Sequence, residues 1–218
     1  MMDAEEGRSL VVLGAGGHAK VVLATALAAG WHVAGLYDDD PDKLGLRILG
    51  VPVVGNLPAP GSLGGQWVVA AFGSNARRAE MAIRYSGARW ASVIHPSAQV
   101  HGSVRIGEGT VVFAGAVLQP DTTLGSHVII NTGATVDHDC RLGDFVHVAP
   151  GSHLAGGVRV DSGVFMGIGS VAIPGVHIGV GCTLGAGAVV VRDLSPNVTA
   201  IGVPARPTRN RVGQWPEN

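Results

Sequence analysis

The 218-residue sequence predicts an α/β, Rossmann-like N-terminal region followed by a left-handed parallel β-helix built from hexapeptide repeats. Three observations carry this: an aliphatic residue that returns every six positions through the second half, a glycine that returns every eighteen, and a strand, glycine loop and helix that open the first half.

The repeat decides most of the chain. From Ile94 the aliphatic column runs through Val100, Ile106, Val112, Leu118, Leu124, Ile130, Val136, Leu142, Val148, Leu154, Val160 and Met166. It continues through Ala172, Ile178, Leu184 and Val190 without a slip in phase. Four residues after each stands a small or β-branched residue, from Ala98 and Val104 to Cys140 and Val146. Inward positions on a short strand, with a corner every six residues, fit this spacing. Gly107, Gly125, Gly143 and Gly179, with Asp161 in the remaining place, add a period of eighteen. Three six-residue sides then close one triangular coil, and residues eighteen apart stack. A β-sandwich would space its strands about 8–12 residues apart and its phase would drift. Roughly five coils are expected between 94 and 190. A solenoid cannot close its own ends; the N-terminal region is expected to cover one end and the tail after Val191 the other.

The first half reads as β-α-β, hence a small parallel sheet. Ser9–Leu13 is an apolar strand, Gly14-Ala15-Gly16-Gly17-His18-Ala19 a loop, and Lys20–Ala29 an apolar helix. His32–Tyr37 is a second strand, closed by Asp38, Asp39 and Asp40; Gln66–Phe72 is a third, followed by a loop from Gly73 that opens a second helix. The glycine stretch fits G-x-G-x-x-A at a helix start, where backbone N–H groups can hold a phosphate, with Asp38 near the place of a ribose- or base-binding acid. Only about half a dinucleotide fold is present, so a mononucleotide or nucleotide-sugar suits the size better than NAD. The predicted division is 1–90 for nucleotide-sugar binding, 91–191 for the β-helix and 192–218 for cap and tail.

Composition narrows the functional classes. The chain is 46% hydrophobic and 14% charged, which permits a substantial core. Its net charge of −1 provides no basic field for nucleic acid or an anionic membrane. Cys140 and Cys182 lie far apart without metal-ligand spacing and read as reduced thiols of a cytoplasmic protein. The acidic N-terminus does not resemble a signal peptide, and no apolar run is long enough to span a membrane.

Among nine histidines, His138 stands out because Asp137 and Asp139 flank it. A carboxylate beside an imidazole can set its tautomer and support its positive charge, which makes His138 a candidate general base. His147 follows nine residues later, half of a coil, so the two histidines occupy different sides of the prism and approach more readily across a subunit interface. No H-x-x-H or C-x-x-C spacing points to a metal.

The hexad array, the Asn131–Cys140 stretch with its Asp137-His138-Asp139-Cys140 core, the Gly202-Val203-Pro204-Ala205 tail and the Gly14–Ala19 opening together resemble one acyltransferase family. It comprises bacterial nucleotide-aminosugar N-acetyltransferases and the related sialic acid O-acetyltransferases; the likeness covers about residues 9 to 207, and is greatest to GDP-perosamine N-acetyltransferases. The resemblance implies acetyl-CoA as co-substrate, no metal, and homotrimers with active sites between subunits. It places the base on His138 and its acidic modulator on Asp139. Acetyl-CoA contacts fall on His147, Ile168 and Ala186. Nucleotide-sugar contacts fall on Gly16, Gly17, His18, Asp38, Asp39, Gly73, Asn75, Arg78 and Asn131. The implied reaction is N-acetylation of a nucleotide-linked 4-amino sugar. A sugar O-acetyltransferase and a non-catalytic nucleotide-binding scaffold are the alternatives, and the sequence leaves the base of the nucleotide open.

Overall fold

The computed structural model describes residues 9–210 and Trp215; the acidic N-terminal stretch that bears on targeting lies outside the described residues. The N-terminal sheet has the order β3-β4-β2-β1-β5-β6, with β1 Ser9–Leu13, β2 His32–Tyr37, β3 Arg47–Ile48, β4 Val51–Gly55, β5 Trp67–Ala70 and β6 Arg89–Trp90. All pairs are parallel except the β3–β4 hairpin. Helix α1, Gly17–Ala28, packs Ala19, Val22, Leu23 and Ala26 against one side of the sheet. Helix α2, Asn75–Arg84, packs Met81 on the other, with Tyr85 just beyond its end. The chain leaves β1 toward β2 on one side and reaches β5 on the other, so strand order reverses at β1. A ligand crevice is expected at the carboxyl ends flanking such a reversal, and there the loops after β1 and β5 meet.

Two details differ from the sequence expectation. Helix α1 begins at Gly17 rather than Lys20, because the Gly16 carbonyl already accepts the Ala19 N–H at 3.1 Å. The β3–β4 hairpin was not foreseen; it turns on Leu49 and Gly50, both with positive φ (48° and 84°), as a tight hairpin requires.

From Val93–Ile94 to Val189–Val190, two-residue strands recur every six residues, each with the repeat's aliphatic residue second. Pairing is parallel at a register of eighteen, as in Val111↔Ile129, Thr135↔His153 and Arg141↔Arg159. Three flat faces result. The first carries Val93–Ile94 and its stack, the second Gln99–Val100 and its stack, the third Arg105–Ile106 and its stack. The fold is therefore the expected left-handed β-helix. Its interior is the aliphatic column together with residues four positions on, such as Thr110, Ala116, Val128 and Cys140, all fully buried. At the corner between the third and first faces a Cβ on Gly107 would overlap the backbone of Gly125, and one on Gly125 the backbone of Asp144. That close stacking explains the glycine period of eighteen.

The ends are treated differently. The tail forms a hairpin, Val198–Ile201 with Arg206–Asn210, whose first strand extends the first face. Leu194, Val198, Ala200 and Ala205 close the interior there. The N-terminal region does not cover the opposite end, contrary to expectation. It lies along the first face, where the outward residues Val93, Val111 and Ile129, with Phe113, join Leu10, Val12 and Ala19 in one core. The outward residues of that face are apolar and need a cover. The first-coil interior residues Ile94, Ala98, Val100, Val104 and Ile106 stay only partly buried.

Candidate active site

His138 sits at the corner between the second and third faces, and two neighbours place it. The Asp137 carboxylate accepts the His138 backbone N–H at 2.8 Å. Asp139 occupies the left-handed corner conformation, φ 59°, which swings its carboxylate back onto the imidazole. The resulting contact joins His138 Nδ1 and Asp139 Oδ2 at 2.8 Å. Only an N–H can donate to a carboxylate, so Nδ1 carries the proton and Nε2 keeps a lone pair in the neutral ring. That hydrogen bond raises the His138 pKa above the ordinary imidazole value, with the charges of Asp137 and Asp139 adding to it against partial desolvation. Both side chains are well exposed. The Asp139 carboxylate thus reaches the ring.

Gly16, Gly17, His18 and Gly73 gather at the mouth of the crevice. Nothing lies within 4 Å of a Cβ built on Gly16 or Gly17, so open space faces the loop. The first turn of α1 has neither a side-chain cap nor an acidic residue, which leaves the Gly17 and His18 N–H groups available to an anion. Gly73, after β5, lies 3.8 Å from the His18 ring as measured from a Cβ built on it. His18 packs edge-on against Phe113, and its Nε2 is buried without a partner. Burial, and then the charge of Arg78, lower its pKa to about 4.

Asp38 and Asp39 close the loop from beneath. Asp38 Oδ2 accepts the Ala15 N–H at 2.7 Å and Lys43 Nζ at 3.1 Å, and its Oδ1 accepts the Asp40 N–H. Burial pushes the Asp38 pKa up, but these hydrogen bonds and Lys43 outweigh it and hold it below the usual range. Asp39 Oδ1 accepts the Leu57 N–H at 2.9 Å. Lys43, which the sequence did not single out, pairs with Asp38 at this loop; a lysine in an acidic stretch carries no signal until the chain folds it back.

His147 and Asn131 form a third group where the first face meets the second. The Gly73 carbonyl can only accept, so His147 donates from Nδ1 at 3.0 Å. Its Nε2 then accepts from Asn131 Nδ2 at 3.1 Å. Burial, reinforced by Arg78, lowers the His147 pKa to about 3, and the ring is neutral. Ile168 and Ala186, eighteen apart, stack on the same edge and are exposed; the Ile168 carbonyl accepts the Gly187 N–H at 2.8 Å.

Two predicted substrate contacts are placed elsewhere. Asn75 and Arg78 are buried and face the coils, not the open crevice. Asn75 Nδ2 donates to the Gly163 and Val164 carbonyls. Arg78 donates from Nε to His127, from Nη1 to Phe72 and Gly73, and from Nη2 to Phe145 and Val146, all to carbonyls, and also to Asn75 Oδ1. Every nitrogen of the guanidinium is used within the chain. Burial without a carboxylate lowers its pKa to about 9. These two side chains strap the N-terminal region to the helix.

His138 and Asp139 therefore occupy one edge of the second face, and the His147, Ile168 and Ala186 group the other, with the glycine loop beside the latter. One chain does not bring the two sets together. Among the described residues, no group of three or more His, Cys, Asp or Glu is arranged to hold a metal ion. No helix there is long and apolar enough to cross a membrane.

Comparison with known proteins finds two family models and several solved relatives. Residues 9–85 match the PglD N-terminal domain family, and residues 103–138 the bacterial transferase hexapeptide (six repeats) family. The chain is similar to PerB of Caulobacter crescentus, solved with CoA and GDP-perosamine, at 47% identity. That match covers 92% of this chain and 97% of the other, with a TM-score of 0.87. Histidine-to-asparagine and histidine-to-alanine variants of that enzyme are also solved with both ligands, each at 46% identity. The acetyltransferase domain of PglB from Neisseria gonorrhoeae is 40% identical over 92% of this chain and all of its own, with a TM-score of 0.88; it is also solved with acetyl coenzyme A. The comparison with curated proteins gives no match.

Proposed function

We propose, from the premise that this chain belongs to the hexapeptide-repeat nucleotide-aminosugar N-acetyltransferases, that it transfers the acetyl group of acetyl-CoA to the 4-amino group of GDP-perosamine. The observation that carries the reading is the His138–Asp139 pair, with Nδ1 held at 2.8 Å and Nε2 left free. GDP as the nucleotide is supported by the complexes of the Caulobacter relative.

In the proposed reaction the neutral sugar amine attacks the thioester carbonyl, and His138 Nε2 takes the proton that nitrogen loses. Asp139 holds the ring and supports its positive charge. Backbone N–H groups of the coils stabilise the oxyanion. Collapse expels the CoA thiolate, which receives a proton from His138. Acetyl-CoA arrives already activated, so positioning supplies the rest.

In this reading residues 1–90 hold the nucleotide-sugar and residues 91–191 carry out acyl transfer, with 192–218 as cap and tail. Gly16, Gly17 and His18 take the nucleotide-sugar with Asp38, Asp39, Gly73 and Asn131; the acetyl-CoA arm lies along His147, Ile168 and Ala186. The two edges meet between copies of the chain, in a homotrimer. The buried thiols of Cys140 and Cys182 suit the cytoplasm.

The test is an acetyl-transfer assay with GDP-perosamine and UDP-4-amino sugars in parallel, following release of the CoA thiol. Turnover is expected with GDP-perosamine. His138→Asn should lower it about 10²–10⁴-fold while acetyl-CoA binding persists. Near-wild-type turnover in the variant would sink the assignment of the base, and thiol release only with UDP sugars would sink the choice of nucleotide.

A further inference from the structure

The corner that holds His138 recurs one coil later at Gly156, eighteen residues on. The two corners are tied backbone to backbone, since the Gly157 N–H donates to the His138 carbonyl at 2.8 Å. A Cβ built on Gly156 would lie 2.5 Å from both Nε2 and Cε1 of His138 and 3.2 Å from Cδ2. Unbonded carbons and nitrogens settle near 3.5–4.0 Å, so even a methyl group would have to move the ring by roughly an ångström.

Backbone conformation does not demand this glycine. Gly157 has φ 68°, but Gly156 is not among the residues of positive φ. The same corner position holds Pro120 in the coil before His138 and Pro174 in the coil after Gly156. Coils of this helix therefore accept a bulky side chain there. The one next to the His138 ring has none.

We infer that Gly156 is a positioning residue for acetyl transfer: its missing side chain is the space in which the His138 imidazole rests with Nδ1 on Asp139 and Nε2 free. The inference rests on His138 as the base. With any side chain at 156, the exposed ring has to rotate toward solvent. The Nδ1–Oδ2 bond is then lost, and Nε2 leaves the place where the amine proton must arrive.

The test is Gly156→Ala in the full-length chain. The coil's tolerance of proline at this corner predicts an unchanged melting temperature and an unchanged KM for acetyl-CoA. Turnover should fall about 10-fold or more, and the acid limb of its pH profile should move to lower pH. In a His138→Asn background the same substitution should cost nothing further, because the ring it displaces is gone. NMR titration of the His138 imidazole reads its contact with Asp139 without turnover, and the pKa should fall toward the ordinary value in Gly156→Ala. An unchanged imidazole pKa and pH profile would overturn the inference, as would an equal fold-loss in the His138→Asn background. Failure of the base assignment is distinguishable: His138→Asn would then stay active while the Gly156→Ala titration still shifted.

Discussion

At the residue scale the site depends on one unfavourable backbone conformation. Asp139 takes the left-handed corner, φ 59°, where the two following coils have Gly157 and Gly175. A non-glycine residue there costs of order 1 kcal/mol; the return is a carboxylate aimed at His138. Asp139→Gly should therefore keep or raise the melting temperature while lowering turnover, a separation that a merely structural aspartate would not show. Asp139→Asn tests the electrostatics. His138 acts as a base only when neutral, so activity falls as pH drops through its pKa, which Asp139 raises. Removing the charge should move the acid limb of kcat/KM to lower pH, and an unmoved limb would mean that Asp139 does not tune the base. The sequence showed His138 between two acids; which acid faces the ring depended on the backbone corner, where Asp137 binds the main chain and Asp139 the imidazole.

At the element scale the least legible feature was the inner side of α2. Its buried positions Asn75, Arg78 and Met81 keep helical spacing, but two of the three are polar. Apolar periodicity is blind to such a face, and the resemblance placed both polar residues among the ligand contacts. Their role emerges only when α2 meets the coil corners, where the His127, Phe145 and Gly163 carbonyls take their donors from these side chains. Arg78→Met should then destabilise the protein by about 3 kcal/mol or more, since it strands buried carbonyls and retains only packing. Urea denaturation measures this; a loss well under 1 kcal/mol would show that the guanidinium is not what secures the two parts. The coils, by contrast, were legible in full because every six residues repeat the same inward aliphatic.

At the scale of the whole molecule the His138 edge and the His147 edge are separated by the second face. Its outward column, Gln99, Val117, Thr135, His153, Val171 and Val189, carries three valines at half-exposed positions. A trimer packed on this face would bring one chain's His138 edge toward another's His147 edge. Sedimentation equilibrium should find three chains per particle. Val171→Arg should yield monomers with intact β-helix circular dichroism and little turnover; a fully active monomer would place the whole site within one chain.

The sequence by itself determined the β-helix, its triangular period, the glycine loop and the candidate base, because each follows from local spacing: an inward side chain every six residues, a stack every eighteen, and an acid next to a histidine. Only the tertiary structure decided where the N-terminal region lies, that Arg78 and Asn75 strap it down, and that Gly156 leaves space for the ring. Those depend on which surfaces remain apolar or unsatisfied once the coils have closed, and on contacts between residues one coil or half a chain apart. The first face was apolar on its outer side, so the region that the solenoid's open end seemed to need settled along its flank instead.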